Sequence, residues 1–303
     1  MSTNHVHRKV NRFVTNDFTL RIAAVDATSV VQEMQTLQNC FPLATIGIGR
    51  AMVGALLLAS HLKDDQEIGL LFKGNGPLGS VYAQASFEGH VRGYCPNPKY
   101  QAPQSDDATN LKKALGFGTL NVTRHQPFQS QPFLGTVEMP YGEVGEDIAH
   151  YLHQSHQIRS LISLGVYLDS YGKVKSAGGL LIEVMPGVEE EVVSIIENNA
   201  KSQKSQVSKL ILEGVSEKEL IAPYLKGIPF TQIPHDYEIK YHCPCTESRV
   251  RRALGVLSLH DLEDMIQKNE VTDITCQMCG RDYKVTVQEL SDLKEELRKN
   301  SMH

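Results

Sequence analysis

Apolar and polar residues alternate along Phe18-Thr19-Leu20-Arg21-Ile22, the two-residue period of a strand lying on a core. The period then lengthens. Val30, Val31, Met34 and Leu37 recur at helical spacing, and Ser29 with Gln32 three residues on predicts a capped start. From Pro42 to Leu62 the chain is largely apolar, and residues 51–62 read as a buried helix. Arg50 interrupts the run among Gly47, Gly49 and Gly54, leaving only Ala51 to Ser60 unbroken. That is about half of the roughly 20 residues a membrane span needs, so no membrane partner is expected.

Further on, Glu67 to Lys73 reads as a strand and Gly74 to Gly79 as a turn. Ser80 to Glu88 and His90 to Tyr94 flank Gly89 as a hairpin, and residues 95–110 predict a loop before a short helix near Leu111. Strands are expected at Gly116 to His125 and Thr136 to Met139, joined by a Gln/Pro/Phe loop, with a helix from Glu146 to His153. A second hairpin runs from Ser160 to Leu168 and from Lys173 to Val184, turning at Asp169 to Gly172. Strands and helices interleave without a repeating βαβ period, which predicts a mixed α+β domain over residues 1–186.

The pattern changes after Pro186-Gly187. Val188, Val192, Ile195 and Ile196 mark one short helix; after a polar run, Val207, Leu210 and Ile211 mark a second. Ser216 with Glu219 caps a third, stopped by Pro223, and Pro229 and Pro234 close the segment. These thin stripes make no core of their own, so residues 187–235 read as a helical linker of marginal stability. Reduced, its stripes are expected to pack on the α+β domain. In the remaining residues 236–303, Ser258 and Asp261 start a helix carrying Leu259, Leu262, Met265 and Ile266. Tyr283, Val285 and Val287 alternate as a strand, and residues 289–299 form a charged helix. So little apolar material calls for a staple.

Cysteines supply it. Cys243-Pro244-Cys245 and Cys276-Gln277-Met278-Cys279-Gly280 offer four thiolates, the set tetrahedral zinc prefers. Gly280 permits the left-handed backbone that such knuckles need. The Cys-x-Cys half is tight for a metal, and its sulfurs are close enough to join in a strained, labile disulfide once the metal leaves. The spacing therefore points to a zinc centre that oxidation can switch. A thioredoxin-type enzyme fits less well, because Cys276-x-x-Cys279 precedes a strand where that motif opens a helix.

Charge and composition narrow the partners. The net charge of −5, without a Lys/Arg run, gives no phosphate-backbone footprint. Six cysteines are too few and too uneven for a disulfide scaffold, and no basic-then-apolar leader opens the chain, so a reducing cytoplasm is the expected home. Gly74-x-Gly76-x-x-Gly79 satisfies a dinucleotide-binding pattern literally, but Pro77 and the strand that follows make it a turn. His150, His153 and His156 step around a helix instead of converging. Cys40 and Cys95 read as small buried hydrophobes, and no spacing argues for catalysis, so a non-enzyme is expected.

The whole chain resembles the redox-regulated 33 kDa chaperonin family, the heat-shock protein 33 type of bacterial holdase. The quartet Cys243, Cys245, Cys276 and Cys279 matches that family's zinc-binding pattern. Pro42-Leu43-Ala44, Gly49-Arg50, Gly76-Pro77-Leu78-Gly79, Val91-Arg92-Gly93-Tyr94, Ala177-Gly178-Gly179 and Pro186-Gly187 are similar too. Gln267 to Val271 departs from it, standing where the family places a glycine-containing turn. The resemblance implies a cytoplasmic protein that is inactive while reduced and zinc-bound. Oxidation would form Cys243–Cys245 and Cys276–Cys279 disulfides and release the metal. The active form would dimerise and hold unfolding client proteins without ATP, under oxidative and heat stress. Two rival classes are a zinc-ribbon nucleic-acid binder, for which Arg249, Arg251 and Arg252 supply some charge, and a thiol-disulfide oxidoreductase.

Overall fold

The computed structural model describes residues 8–103, 109–129, 131–269 and 271–300. Parts of two expected loops, residues 104–108 and 130, lie outside the described residues, as does Glu270. The fold is mixed α+β, and the chain divides into two compact units at His242/Cys243. Residues 236–242, grouped by the sequence with the cysteines, therefore run with the first unit. Ile239 is buried in that unit's core, and its backbone N–H donates to the Arg8 carbonyl.

Two sheets frame the first unit. The five-stranded sheet has the order β10 (Phe230–Ile233), β1 (Asn11–Thr15), β2 (Leu20–Asp26), β9 (Val174–Val184), β8 (Arg159–Leu168), antiparallel throughout. The six-stranded sheet runs β11 (Lys240–Tyr241), β5 (His90–Tyr94), β4 (Ser80–Ser86), β3 (Glu67–Gly74), β6 (Gly118–His125), β7 (Phe133–Met139). Both hairpins and the Gly74–Gly79 turn fall where the residue pattern puts them. Side chains at Gly74 and Gly76 would collide with the carbonyls of Leu115 and Ala114, so close backbone packing, not a phosphate, explains those glycines.

Helix α2 (Pro42–Ala59) contacts β4 and β5 of one sheet and β8 and β9 of the other. It is longer than expected because Pro42 sits at its first turn, where a missing N–H costs nothing. Its glycines are contact points inside the helix: a Cβ at Gly49 would lie 2.8 Å from Val166 and one at Gly54 2.6 Å from Ile148. Arg50 emerges from the apolar run to pair with Glu143 at 2.6 Å. By length and composition this helix could cross a membrane, but 89% of it is buried inside the protein.

Helix α1 (Thr28–Gln38) starts one residue before the expected Ser29, and without a capping box. Gln32 instead donates to the Val174 carbonyl, and Asp26 accepts from the Thr28 N–H. α3 (Leu111–Leu115) and α4 (Val144–His156) complete the core packing.

The segment 187–235 forms α5 (Glu190–Lys201), α6 (Val207–Leu212), α7 (Glu217–Ile221) and β10. Strands β2 and β9 explain where it goes. Ala23, Val25 and Leu181 face the α2 core, whereas Leu20, Ile22, Leu180 and Ile182 face a second cluster with Ile196, Ile211, Leu220 and Ile221. Alternation buries both faces of these strands, and the three helices cover the outer one. Ile195 is 37% exposed and lies off that stripe. The Ser216/Glu219 capping box is present. Glycines shape the seat: a Cβ at Gly165 would lie 2.8 Å from Ser208, and one at Gly178 2.5 Å from Ile211. Ser176 Oγ donates to the Ser208 carbonyl at 2.6 Å.

The second unit holds α8 (Glu247–Leu254), α9 (Leu259–Gln267), the hairpin β12 (Thr272–Thr275)/β13 (Asp282–Val285) and α10 (Val287–Asn300). The Ser258/Asp261 capping box opens α9. Val287 corrects the expected strand. Thr286 and Glu289 cap each other there, so the helix begins at 287 instead of 289. Its buried core is small: Leu262, Val285, Leu290 and Leu293.

Candidate metal centre

Each cysteine pair sits on a local device that the nearby sequence builds. The second pair lies in the turn between β12 and β13. There the Gly280 N–H donates to the Cys276 carbonyl at 2.8 Å and the Cys276 N–H to the Arg281 carbonyl at 2.9 Å. Gly280 takes φ +67°, the left-handed backbone that the knuckle requires. The first pair ends where α8 begins, and Thr246 caps that helix by accepting from the Arg249 N–H. Pro244 stiffens the single-residue spacer.

The four sulfurs converge. All lie within 4.8 Å of one another, and each residue is half-buried. Cys243 Sγ is 3.7 Å from Cys276 Sγ, and Cys245 Sγ is 3.2 Å from Cys279 Sγ. Tetrahedral zinc with Zn–S near 2.3 Å needs sulfurs about 3.8 Å apart, so the donor set fits that ion in number, softness and spacing. It is also the one such metal-ligand cluster among the described residues.

Two neighbours bear on the sulfurs that spacing did not single out. Burial raises the Cys245 thiol, but hydrogen bonds from the Tyr283 hydroxyl and from the other cysteines outweigh it and bring it down to about 7. Burial pushes its neighbour Cys279 up to about 12. Arg281 Nη1 donates to the Cys245 carbonyl at 3.3 Å and reaches the Tyr283 hydroxyl at 3.5 Å. The signal for Tyr283 was its place in the strand immediately after the knuckle.

Other candidates do not converge. His150 stacks edge-on against Tyr141, and His156 meets the Tyr151 hydroxyl at 3.1 Å. Cys40 and Cys95 are buried, with thiols pushed up by burial to about 12 and about 11, so both are unreactive. Asn269 takes the left-handed φ of +51° within the segment where the resembled family places a glycine.

Comparison with known proteins gives the chain's family. The family model described as "Hsp33 protein" matches residues 9–286. A protein of Thermodesulfovibrio yellowstonii named 33 kDa chaperonin is 34% identical over 288 residues, covering 95% of this chain and 99% of that one. The 33 kDa chaperonin of Synechococcus sp. (strain JA-3-3Ab) is 36% identical, covering 93% and 88%. A crystal structure of the 33 kDa chaperonin (heat shock protein 33 homolog) from Thermotoga maritima superposes with a TM-score of 0.84 at 32% identity, covering 97% and 99%. The chain belongs to the Hsp33 family.

Proposed function

We propose that this protein is a redox-regulated, ATP-independent chaperone, a holdase that is silent while reduced and zinc-bound and that captures unfolding proteins after oxidation. The observation that carries the reading is the convergence of Cys243, Cys245, Cys276 and Cys279 in a unit with a four-residue buried core. The chaperonin names of its relatives support it.

Bound zinc would hold the four cysteines as thiolates, contributing about 10–16 kcal/mol of apparent binding free energy to a unit that has little else. A peroxide takes two electrons from each pair, forming the Cys243–Cys245 and Cys276–Cys279 disulfides and leaving no ligand for the metal. The cysteine-bearing unit, residues 243–303, then unfolds. In this reading the functional division of the chain is a stable α+β domain (1–186), a metastable linker (187–235) and the zinc-binding switch.

Linker residues Ile196, Ile211, Leu220 and Ile221, buried on the outer face of the five-stranded sheet, become the apolar surface offered to clients. The active species is a homodimer that works in the cytoplasm under oxidative and heat stress, by binding and not by catalysis. The acidic net charge gives it no nucleic-acid role, and the long apolar helix, buried as it is, gives it no membrane role. Light scattering from a heat-unfolded client tests the reading. The peroxide-oxidised protein is expected to suppress aggregation at equimolar ratio and the reduced, zinc-loaded protein to leave it unchanged. Equal activity of the two forms overturns it.

A further inference from the structure

A cavity of about 390 Å³ opens in the first unit between α2, α4, β6 and β9, and nothing in the switch uses it. Most of its wall is apolar, from Leu58, Leu62, Ile68, Val122 and Leu152. The polar side chains on it are Arg21, His61, Arg124, Gln126 and Glu183, together with Tyr151 and His156, which meet each other at 3.1 Å. Of these, Glu183 is already matched. Arg21 Nε donates to its carboxylate at 2.8 Å, and His61 Nδ1 lies 2.7 Å from the same oxygen, both side chains of the His–Glu pair being under 5% exposed.

Three buried nitrogens make no well-aligned hydrogen bond: Arg124 Nε, His61 Nε2, and His61 Nδ1, whose approach to Glu183 is close but off-axis. Arg124 engages only its Nη2, which donates to Gln66 at 2.9 Å. An unpaired buried guanidinium N–H and an unpaired buried ring nitrogen each carry an uncompensated desolvation cost, which a ligand can remove. Apolar walls with a few convergent polar groups are the usual makeup of a small-molecule site.

We propose that this cavity binds a small amphipathic carboxylate, its carboxylate on Arg124 and His61 and its hydrocarbon part along the Leu58, Leu62, Ile68 and Val122 wall. Charge favours the anion: Arg21 and Arg124 against Glu183 leave one positive charge in the cavity wall. With Nδ1–H turned to Glu183, a neutral His61 presents Nε2 as an acceptor, so a bound carboxylate draws a proton onto that nitrogen. The charged and titratable groups around His61 are Glu183, which favours that proton, and Arg12, Arg21 and His235, which oppose it, with Arg124, Tyr151 and His156 on the same cavity wall. Burial lowers the imidazole of free His61 below its ordinary value, which favours its neutral form. Ligand binding therefore takes up a proton, and affinity rises as pH falls.

Calorimetric titration of the reduced, zinc-loaded full chain with sodium octanoate is the test, with 1-octanol and octylammonium as probes of the same tail. One octanoate per chain is expected, bound at least tenfold more tightly than either other probe, and more tightly at pH 5.5 than at pH 7.5. Arg124→Gln should weaken octanoate at least tenfold, and Arg124→Lys should restore part of the loss. Should Arg124→Gln fail to fold, Ile158→Phe, which narrows the cavity from the loop after α4, is expected to do the same. Octanol binding as tightly as octanoate, wild-type affinity in these variants, or a pH-independent affinity overturns the proposal.

Discussion

The sulfur of Cys243 lies 3.7 Å from that of Cys276, although 33 residues separate them. Cys245 and Cys279, 34 positions apart, meet in the same way at 3.2 Å. All four sulfurs lie within 4.8 Å of one another, so one ion would tie the α8 end of the unit to the β12–β13 hairpin.

One zinc per reduced chain is the first expected outcome. Metal analysis of Cys276→Ser should show loss of tightly held zinc, since three thiolates leave an open position. Cys40→Ser and Cys95→Ser, which alter buried thiols of the first unit, should keep the metal. Full retention in Cys276→Ser excludes this quartet.

Oxidation should pair near neighbours in the chain. Once the metal is gone, loops of one and two intervening residues close faster than loops of thirty, so peptide mapping is expected to find Cys243–Cys245 and Cys276–Cys279. A dominant Cys245–Cys276 link would contradict this.

The seat of α6 offers a way to open the linker without touching a cysteine. Gly165→Val adds atoms where a single Cβ already comes within 2.8 Å of Ser208, so α6 should lift from β8. Hydrogen exchange should show lost protection in residues 207–212 with zinc still bound, and the reduced variant should suppress client aggregation in part. If protection falls and the reduced variant stays inert, the linker is not the client-binding element.

Wild-type protein on oxidation should lose amide protection in both 187–235 and 236–303, whereas β8 and β9 keep theirs. Loosening confined to 236–303, with clients still held, would move the binding surface to the first 186 residues.

Acid should weaken the fold through Glu183. Burial raises its carboxyl, but His61 and Arg21 outweigh that and hold it down to about 2, against 4.5 for an ordinary glutamate. Its folded value lies below its unfolded one, so the stabilisation is complete above pH 4.5 and is lost as pH falls toward 2. Burial and Arg12 hold His235 down to about 4, so the unfolded chain binds the extra proton first and stability already declines below pH 6.5. Glu183→Gln should cost about 3 kcal/mol at pH 7 in urea unfolding, because Arg21 loses its partner, and the two proteins should converge as pH approaches 2.

The sequence by itself determined the strands and hairpins of the first unit, the Ser216 and Ser258 helix starts and the cysteine quartet. Each is written in a local period, a cap or a spacing of a few residues, which short-range sterics and hydrogen bonding decide. Tertiary structure alone decided the rest. Phe230 to Ile233, four residues between two prolines, are too few to show a period, and they become a strand only because β1 offers an open edge. Gly49, Gly54, Gly165 and Gly178 look like interruptions until Val166, Ile148, Ser208 and Ile211 arrive from elsewhere in the chain to fill the space. Glu183 reads as one more charge on a strand, and it is buried because Arg21, 162 residues away, meets it on the neighbouring strand. Such pairings carry no local signal, because their energy comes from burial that exists only after the chain has closed on itself.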